Sequence, residues 1–307
     1  MDKQAKIYVT NHQERAGSAI YHYLLKQGYE NVVVRTGIDM GIESIQAMNT
    51  FFAKENIEYV FMTDGYEYAE ANAKAELQGR RWQQANVLEA SARYNVKKLL
   101  YLGDIHVYPK YTPQPLKETF LQRGIIDEVY AEQTQVTREG IALCRAYNRT
   151  SNTNFHVSVA PRMYAVTDMN KWSGMVADAM QRCIQARDQW QAKVEIPEKE
   201  PTFQELIYGE DLASGCVFVM NHYNEKGPIN IGTEREVSAK ELVMLIKRIT
   251  GYRGAVFFTG SGSGGMRRKT LDTSKINRYG WYPEVSLAKG LQALHQWETE
   301  RDRAGRA

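Results

Sequence analysis

Ile7-Tyr8-Val9-Thr10 runs without a break into Asn11-His12-Gln13-Glu14-Arg15-Ala16-Gly17-Ser18-Ala19-Ile20, and this stretch decides the fold. The first four residues favour a short buried strand, the next few a polar turn. From Ala16 to Lys26 apolar residues recur at helical spacing. A turn at Gly28 leads to a second strand at Val32-Val33-Val34. Ile45 to Lys54 reads as a helix, Tyr59-Val60-Phe61-Met62 as a strand, and Glu67 to Tyr94 as a long helix. Lys98-Leu99-Leu100-Tyr101-Leu102 is a fourth strand ended by Gly103, followed by a helix from about Val129 to Tyr147 and a strand at His156-Val157-Ser158-Val159. Continuous apolar strands separated by helices predict a parallel sheet covered on both faces, an α/β protein.

The pattern changes after residue 165. Helices are predicted near Lys171–Lys193, Asp211–Asn221, Ala239–Ile249 and Leu287–Glu300, around short strands at Leu206-Ile207-Tyr208 and Ile229-Asn230-Ile231. We therefore expect a Rossmann-like, doubly wound sheet domain over 1–165. A smaller, mostly helical lobe over 166–307 is expected to follow, with some segments able to return to the sheet.

Composition narrows the function. A hydrophobic fraction of 43% and a charged fraction of 24% are those of an ordinary globular chain. The net charge of +3 is too mild to argue for nucleic acid. No run approaches the roughly 18 apolar residues of a membrane span, and no leader-like segment precedes the first strand, so a cytoplasmic protein is expected. Cys144, Cys183 and Cys216 are widely spaced and odd in number, which suggests neither a disulfide framework nor a metal site.

Ordered matches along the whole chain carry a resemblance. The turn Asn11 to Ile20 aligns with a family pattern of roughly G-H-R-G-M-V-G-S-A-I. Val34-Arg35-Thr36, Lys97-Lys98-Leu99-Leu100-Tyr101-Leu102-Gly103 and Val107-Tyr108-Pro109-Lys110 follow in order. Gly140-Ile141, Ile229-Asn230-Ile231-Gly232-Thr233, Arg268-Lys269 with Leu271-Asp272, and Gly280-Trp281-Tyr282 complete the series. In these segments the chain resembles the extended short-chain dehydrogenase/reductases of the NAD-dependent epimerase/dehydratase type, and among them the GDP-L-fucose synthases. The bare resemblance implies an NADP-dependent GDP-4-keto-6-deoxy-mannose epimerase/reductase.

The positions that would carry that chemistry depart from the family. Of the three loop glycines only Gly17 remains, with Asn11 and Glu14 in place of the others. Asn11 can adopt a left-handed backbone. Glu14 puts a carboxylate where a diphosphate would lie, and two like charges about 4 Å apart repel by roughly 4 kcal/mol at an effective dielectric near 20. Arg35 remains from the family's 2′-phosphate arginines, while Gln13 and Gly37 stand at two others. The proton-donating Tyr and its Lys one helical turn later fall on Gln133 and Thr137. The supporting serine falls on Asp104, the epimerisation cysteine on His106, its histidine partner on Gly174, and a substrate-binding arginine on Gln204. No cofactor is therefore expected, or NADP if the loop tolerates Glu14.

Two remnants stay open. Arg268 and Lys269 match a basic pair near the diphosphate and are candidates for a GDP-sugar, or else a solvated surface. The Gly260–Gly265 run cradles an anion or is a surface loop. Asp104, His106 and Tyr108, at the end of the fourth strand, would share one side of an extended chain, as a new acid–base site or as filler of an unused pocket. The leading expectation is a catalytically inactive homologue acting as a structural or interaction subunit. It would be a homodimer, or a heteromer with a related nucleotide-sugar enzyme, joined through helices 67–94 and 129–147. The alternative is a nucleotide-sugar-binding protein or enzyme without hydride transfer.

Overall fold

The structure, a computed structural model, describes residues 1–35, 44–66, 74–122, 124–165, 174–198, 203–260 and 268–304. Chain order gives β1 (Ile7–Val9), α1 (Arg15–Lys26), β2 (Val32–Val34), α2 (Ile45–Glu55), β3 (Tyr59–Gly65), α3 (Lys74–Arg93), β4 (Lys98–Asp104), α4 (Ala131–Thr150) and β5 (Phe155–Ala160). There follow β6 (Arg162–Tyr164), α5 (Met175–Asp188), β7 (Lys193–Ile196), β8 (Phe203–Tyr208), α6 (Gly209–His222) and β9 (Ile229–Asn230). The last elements are β10 (Glu236–Ser238), α7 (Ala239–Thr250), β11 (Ala255–Phe258), α8 (Ser274–Arg278) and α9 (Leu287–Ala304).

The main sheet has the order β2-β1-β3-β4-β5-β9 and every pairing in it is parallel. Strand periodicity sorts its side chains onto two faces. Leu99 and Tyr101 enter one core with Met48, Phe52, Val87, Leu88, Ile141 and Cys144, from α2, α3 and α4. Leu100 and Leu102 enter the other with Ile20, Leu24, Leu212 and Cys216, from α1 and α6. Burial on both faces explains why these strands read as unbroken apolar runs.

The chain crosses back after residue 165. α6 packs on α1 and β4, and β9 pairs with β5 at the edge of the main sheet. The remaining elements form a third core of α5, α7 and α9 over β7 and β8. Two small sheets, β10-β8-β6 and β11-β7, join the expected helices there. α7 starts where a capping box predicts a start. The Ser238 hydroxyl accepts the Glu241 amide, and the Glu241 carboxylate accepts the Ser238 amide.

Expected boundaries shift at several places. The helix expected at 67–94 is described as 74–93, its first seven residues lying outside the described set. The helix expected at 171–193 is described as 175–188. Gly37 and all of the Gly260–Gly265 run beyond Gly260 also lie outside the described residues. Among the described residues no helix is long and apolar enough to cross a membrane.

Candidate functional site

Two constellations stand at the carboxyl ends of the parallel strands, where open α/β sheets place their ligands. The first surrounds the start of α1. Asn11 adopts φ 49, the left-handed conformation its short amide tolerates. Its carbonyl accepts the Glu14 amide at 2.8 Å, and its side-chain oxygen accepts Gln83 Nε2 at 2.9 Å. A Cβ on Gly17 would stand 2.3 Å from the Asn11 carbonyl oxygen, so glycine is needed there for close approach of helix to turn.

Glu14 is not the isolated charge the sequence suggests. Arg80, from α3, forks onto its carboxylate through Nη1 at 3.2 Å and Nη2 at 2.6 Å. Asp64, at the end of β3, is fully buried and accepts the Thr10 hydroxyl at 2.7 Å. Burial raises its pKa, against the Thr10 hydrogen bond and the charge of Arg80. Two carboxyl groups thus face one guanidinium beside the N-terminus of α1. Arg35 lies with its guanidinium 4.4 Å above the Phe51 ring centre, on the flank of this region.

The second constellation lies where β4 ends. Asp104 is the last residue of β4, and residues 105–107 coil into a single 3-10 turn. Asp104 caps that turn, accepting the His106 amide at 2.7 Å, and the same oxygen meets His106 Nδ1. The alternation expected for an extended chain therefore fails. Asp104 and His106 meet because of a cap, and Tyr108 turns away into the core, donating to Asn230 Oδ1 at 2.7 Å. From α4, Thr134 donates to the His106 carbonyl at 3.2 Å, and Arg138 donates to that of Val107 through Nε at 3.3 Å.

Tyr130 closes one side. Its ring centre is 3.7 Å from that of His106, and it hydrogen-bonds to Arg162 of β6. Lys269 enters from the far end of the chain, its Nζ 4.8 Å from the Tyr130 ring centre. Only 8% of Lys269 is exposed, and burial lowers its pKa to about 8 despite the pull of Asp104 and Asp127. Burial also lowers the His106 pKa, against the attraction of Asp104. For Asp104 burial works upward, but the His106 interactions outweigh it and its pKa falls.

The other sequence candidates separate. The basic pair splits: Arg268 is exposed, 3.1 Å from Glu236 and stacked at 5.0 Å over Phe203, while Lys269 points inward. Thr137 is buried and donates to the Gly65 carbonyl at 3.0 Å, tying α4 to β3, with Gln133 half-buried one turn earlier. Gly174 begins α5 at φ 102, and a Cβ there would approach Arg15 Nη1 at 3.9 Å. Gln204, in β8, donates to the Met175 sulfur at 3.5 Å. Sequence reasoning missed Arg80, Asp64 and Arg162, because only the fold brings them to these sites.

Comparison with known proteins agrees with this architecture. The NAD dependent epimerase/dehydratase family matches residues 7–232. GDP-L-fucose synthase 1 of Arabidopsis thaliana is 30% identical over 302 residues, covering 96% of this chain and 94% of the relative. The GDP-L-fucose synthase of Escherichia coli K12 is 28% identical, with 98% of each chain covered. Among solved structures, a GDP-6-OMe-4-keto-L-xylo-heptose reductase from C. jejuni superimposes with a TM-score of 0.90 at 26% identity, covering 98% of this chain and 99% of that one.

Proposed function

We propose, from the premise that the chain belongs to the NAD dependent epimerase/dehydratase family, that it has given up NADP-dependent hydride transfer. In this reading it is a catalytically inactive homologue of the GDP-L-fucose synthases, kept as a structural or interaction subunit. The observation that carries the reading is the Glu14–Arg80 pair at the start of α1. A helix N-terminus attracts phosphate through its amides and dipole. Here a carboxylate of the chain stands at that place and engages the nearby guanidinium, with Asp64 behind it. On this reading these residues do not fit a dinucleotide's phosphates, and Gln133 and Thr137 offer neither a proton donor nor a cation. The outer faces of helices α3 and α4, with Trp82 45% exposed on α3, remain available to a second copy or to a related nucleotide-sugar enzyme.

A second reading is favoured by Asp104, His106, Tyr130 and Lys269. Four ionisable groups gathered at a strand end support acid–base work on a nucleotide-linked sugar without any hydride. Calorimetric titration with NADPH, NADH and GDP-fucose tests both. Silence to all three supports the interaction subunit. GDP-fucose binding without dinucleotide binding supports the second reading. NADPH binding overturns the loss of the cofactor site.

A further inference from the structure

Lys269 is held in place from several sides. The Arg268 carbonyl accepts Gln114 Nε2 at 3.2 Å, and the Thr270 amide donates to Gln114 Oε1 at 2.9 Å. Leu271 bridges to Leu116, and its amide donates to the buried Glu205 carboxylate at 2.7 Å. A surface lysine has no such frame. The frame lays a primary amine 4.8 Å from the Tyr130 ring centre, itself 3.7 Å from that of His106, and within electrostatic reach of the Asp104–His106 pair. Among the described residues no hydrogen bond or ion pair reaches its Nζ. The charged and titratable groups around it are Asp104 and His106 at the end of β4, Asp127 and Tyr130 ahead of α4, and Arg162 on β6.

We propose that Lys269 is a carbonyl-reactive amine, which condenses with the aldehyde or ketone group of a small ligand to form an imine while the Asp104–His106 pair moves the protons. Asp104 at Nδ1 holds the neutral ring with its other nitrogen, Nε2, as the acceptor. The Lys269 lone pair adds to the carbonyl carbon, forming the C–N bond as the C=O π pair moves to oxygen. Nε2 relays one proton from the nitrogen of the adduct to the alkoxide, giving the carbinolamine. It then takes the second N–H proton and delivers it to the hydroxyl, which leaves as water as the nitrogen lone pair forms C=N. Both amine protons thus end on the water. No oxidant or reductant is consumed. Desolvation beside Arg162 favours the neutral, nucleophilic amine that this addition needs. The inference deepens the acid–base reading and rests on it for the natural ligand, but imine formation can be tested without any nucleotide.

The test uses the intact protein, glycolaldehyde in limiting amount and sodium borohydride, which reduces an imine to a stable secondary amine. Labelled lysines are located by peptide mass mapping. At pH 8 an amine half deprotonated competes with exposed lysines that are almost wholly protonated, so labelling concentrates at Lys269 by about tenfold or more. Labelling of Lys269 follows an amine titrating near pH 8 rather than 10.5. His106→Gln labels the same lysine more slowly. A map in which Lys269 is unlabelled, with exposed lysines modified alike in the native protein and in Lys269→Arg, overturns the proposal. Equal rates in the native protein and His106→Gln overturn the role of the pair. Parallel titration with GDP-fucose separates the two ideas, since nucleotide-sugar binding can persist when imine formation fails.

Discussion

Glu205 accepts the Leu271 amide at 2.7 Å, joining β8 to the segment that carries Lys269. Its other oxygen accepts the amides of Thr233 and, at 3.0 Å, Glu234. Burial raises the Glu205 pKa to about 7, with these amide hydrogen bonds opposing the shift. The folded state therefore binds a proton between pH 4.5 and 7 that the unfolded chain releases. The stability from this group is fully present below pH 4.5 and is lost as pH rises through 7, on the order of 3 kcal/mol in all. Urea unfolding between pH 5 and 8 checks this. Glu205→Gln is less stable throughout, and its stability declines less steeply across the window than that of the native protein. Identical slopes would refute the assignment.

Asp104 and Lys269 push the His106 imidazole in opposite directions, the carboxylate raising its pKa and the ammonium lowering it. Asp104→Asn is expected to lower the His106 titration midpoint and Lys269→Met to raise it. The C2-proton resonance of the ring reports both by NMR, and shifts of the same sign would contradict the geometry.

Two helical glycines should respond with opposite signs to the same change. A Cβ on Gly140 of α4 would stand 2.3 Å from the Tyr101 hydroxyl oxygen, whereas one on Gly79 of α3 meets nothing within 4 Å. Gly140→Ala is expected to destabilise by about 1–3 kcal/mol, because helix and ring must separate. Gly79→Ala is expected to stabilise by about 0.5–1 kcal/mol through helix propensity alone. Denaturant midpoints of the two variants decide.

Replacing Glu14 by Gly removes the carboxylate at the start of α1 and leaves the Arg80 guanidinium directed toward it. NADPH affinity is expected to rise at least tenfold, about 1.4 kcal/mol. Arg80→Ala in the same background should cancel the gain. Unchanged titration heats in Glu14→Gly would mean that something other than this carboxylate bars the cofactor.

Asn230 uses both ends of its amide. Nδ2 donates to the carbonyls of Leu116 at 2.8 Å and Asp272 at 3.0 Å, while Oδ1 accepts the Tyr108 hydroxyl. Asn230→Asp loses the donor and is expected to cost about 1–3 kcal/mol, more than the roughly 1 kcal/mol of Tyr108→Phe. Thermal unfolding ranks the two.

The main sheet was legible because parallel strands buried on both faces leave unbroken apolar runs, as Leu99 to Leu102 do. β7 carried a weaker signal, exposed Lys193 and Glu195 alternating with buried Val194 and Ile196, directly after a stretch expected to be helical as far as Lys193. β10 and β11 are short and only partly covered, which gives no such run. At the sites, family spacing marked Asp104, His106 and Lys269 but not their partners. Arg80 reaches Glu14 across 66 residues of chain, a pairing no local pattern encodes. The polarity of Asp104 and His106 was visible, but the 3-10 turn that joins them depends on a cap and on Thr134 of α4.

The position of β9 has a consequence for synthesis. A ribosome that has delivered the first 165 residues has made five of the six strands of the main sheet, but β5 still presents an unpaired edge and the face beneath α6 is still bare. An open edge beside uncovered apolar surface invites pairing with another nascent chain. The hazard ends only when the polypeptide has run through β8 and α6 and supplied Ile229 and Asn230. Cutting the gene at the apparent midpoint would therefore yield a sticky fragment rather than a miniature of the protein.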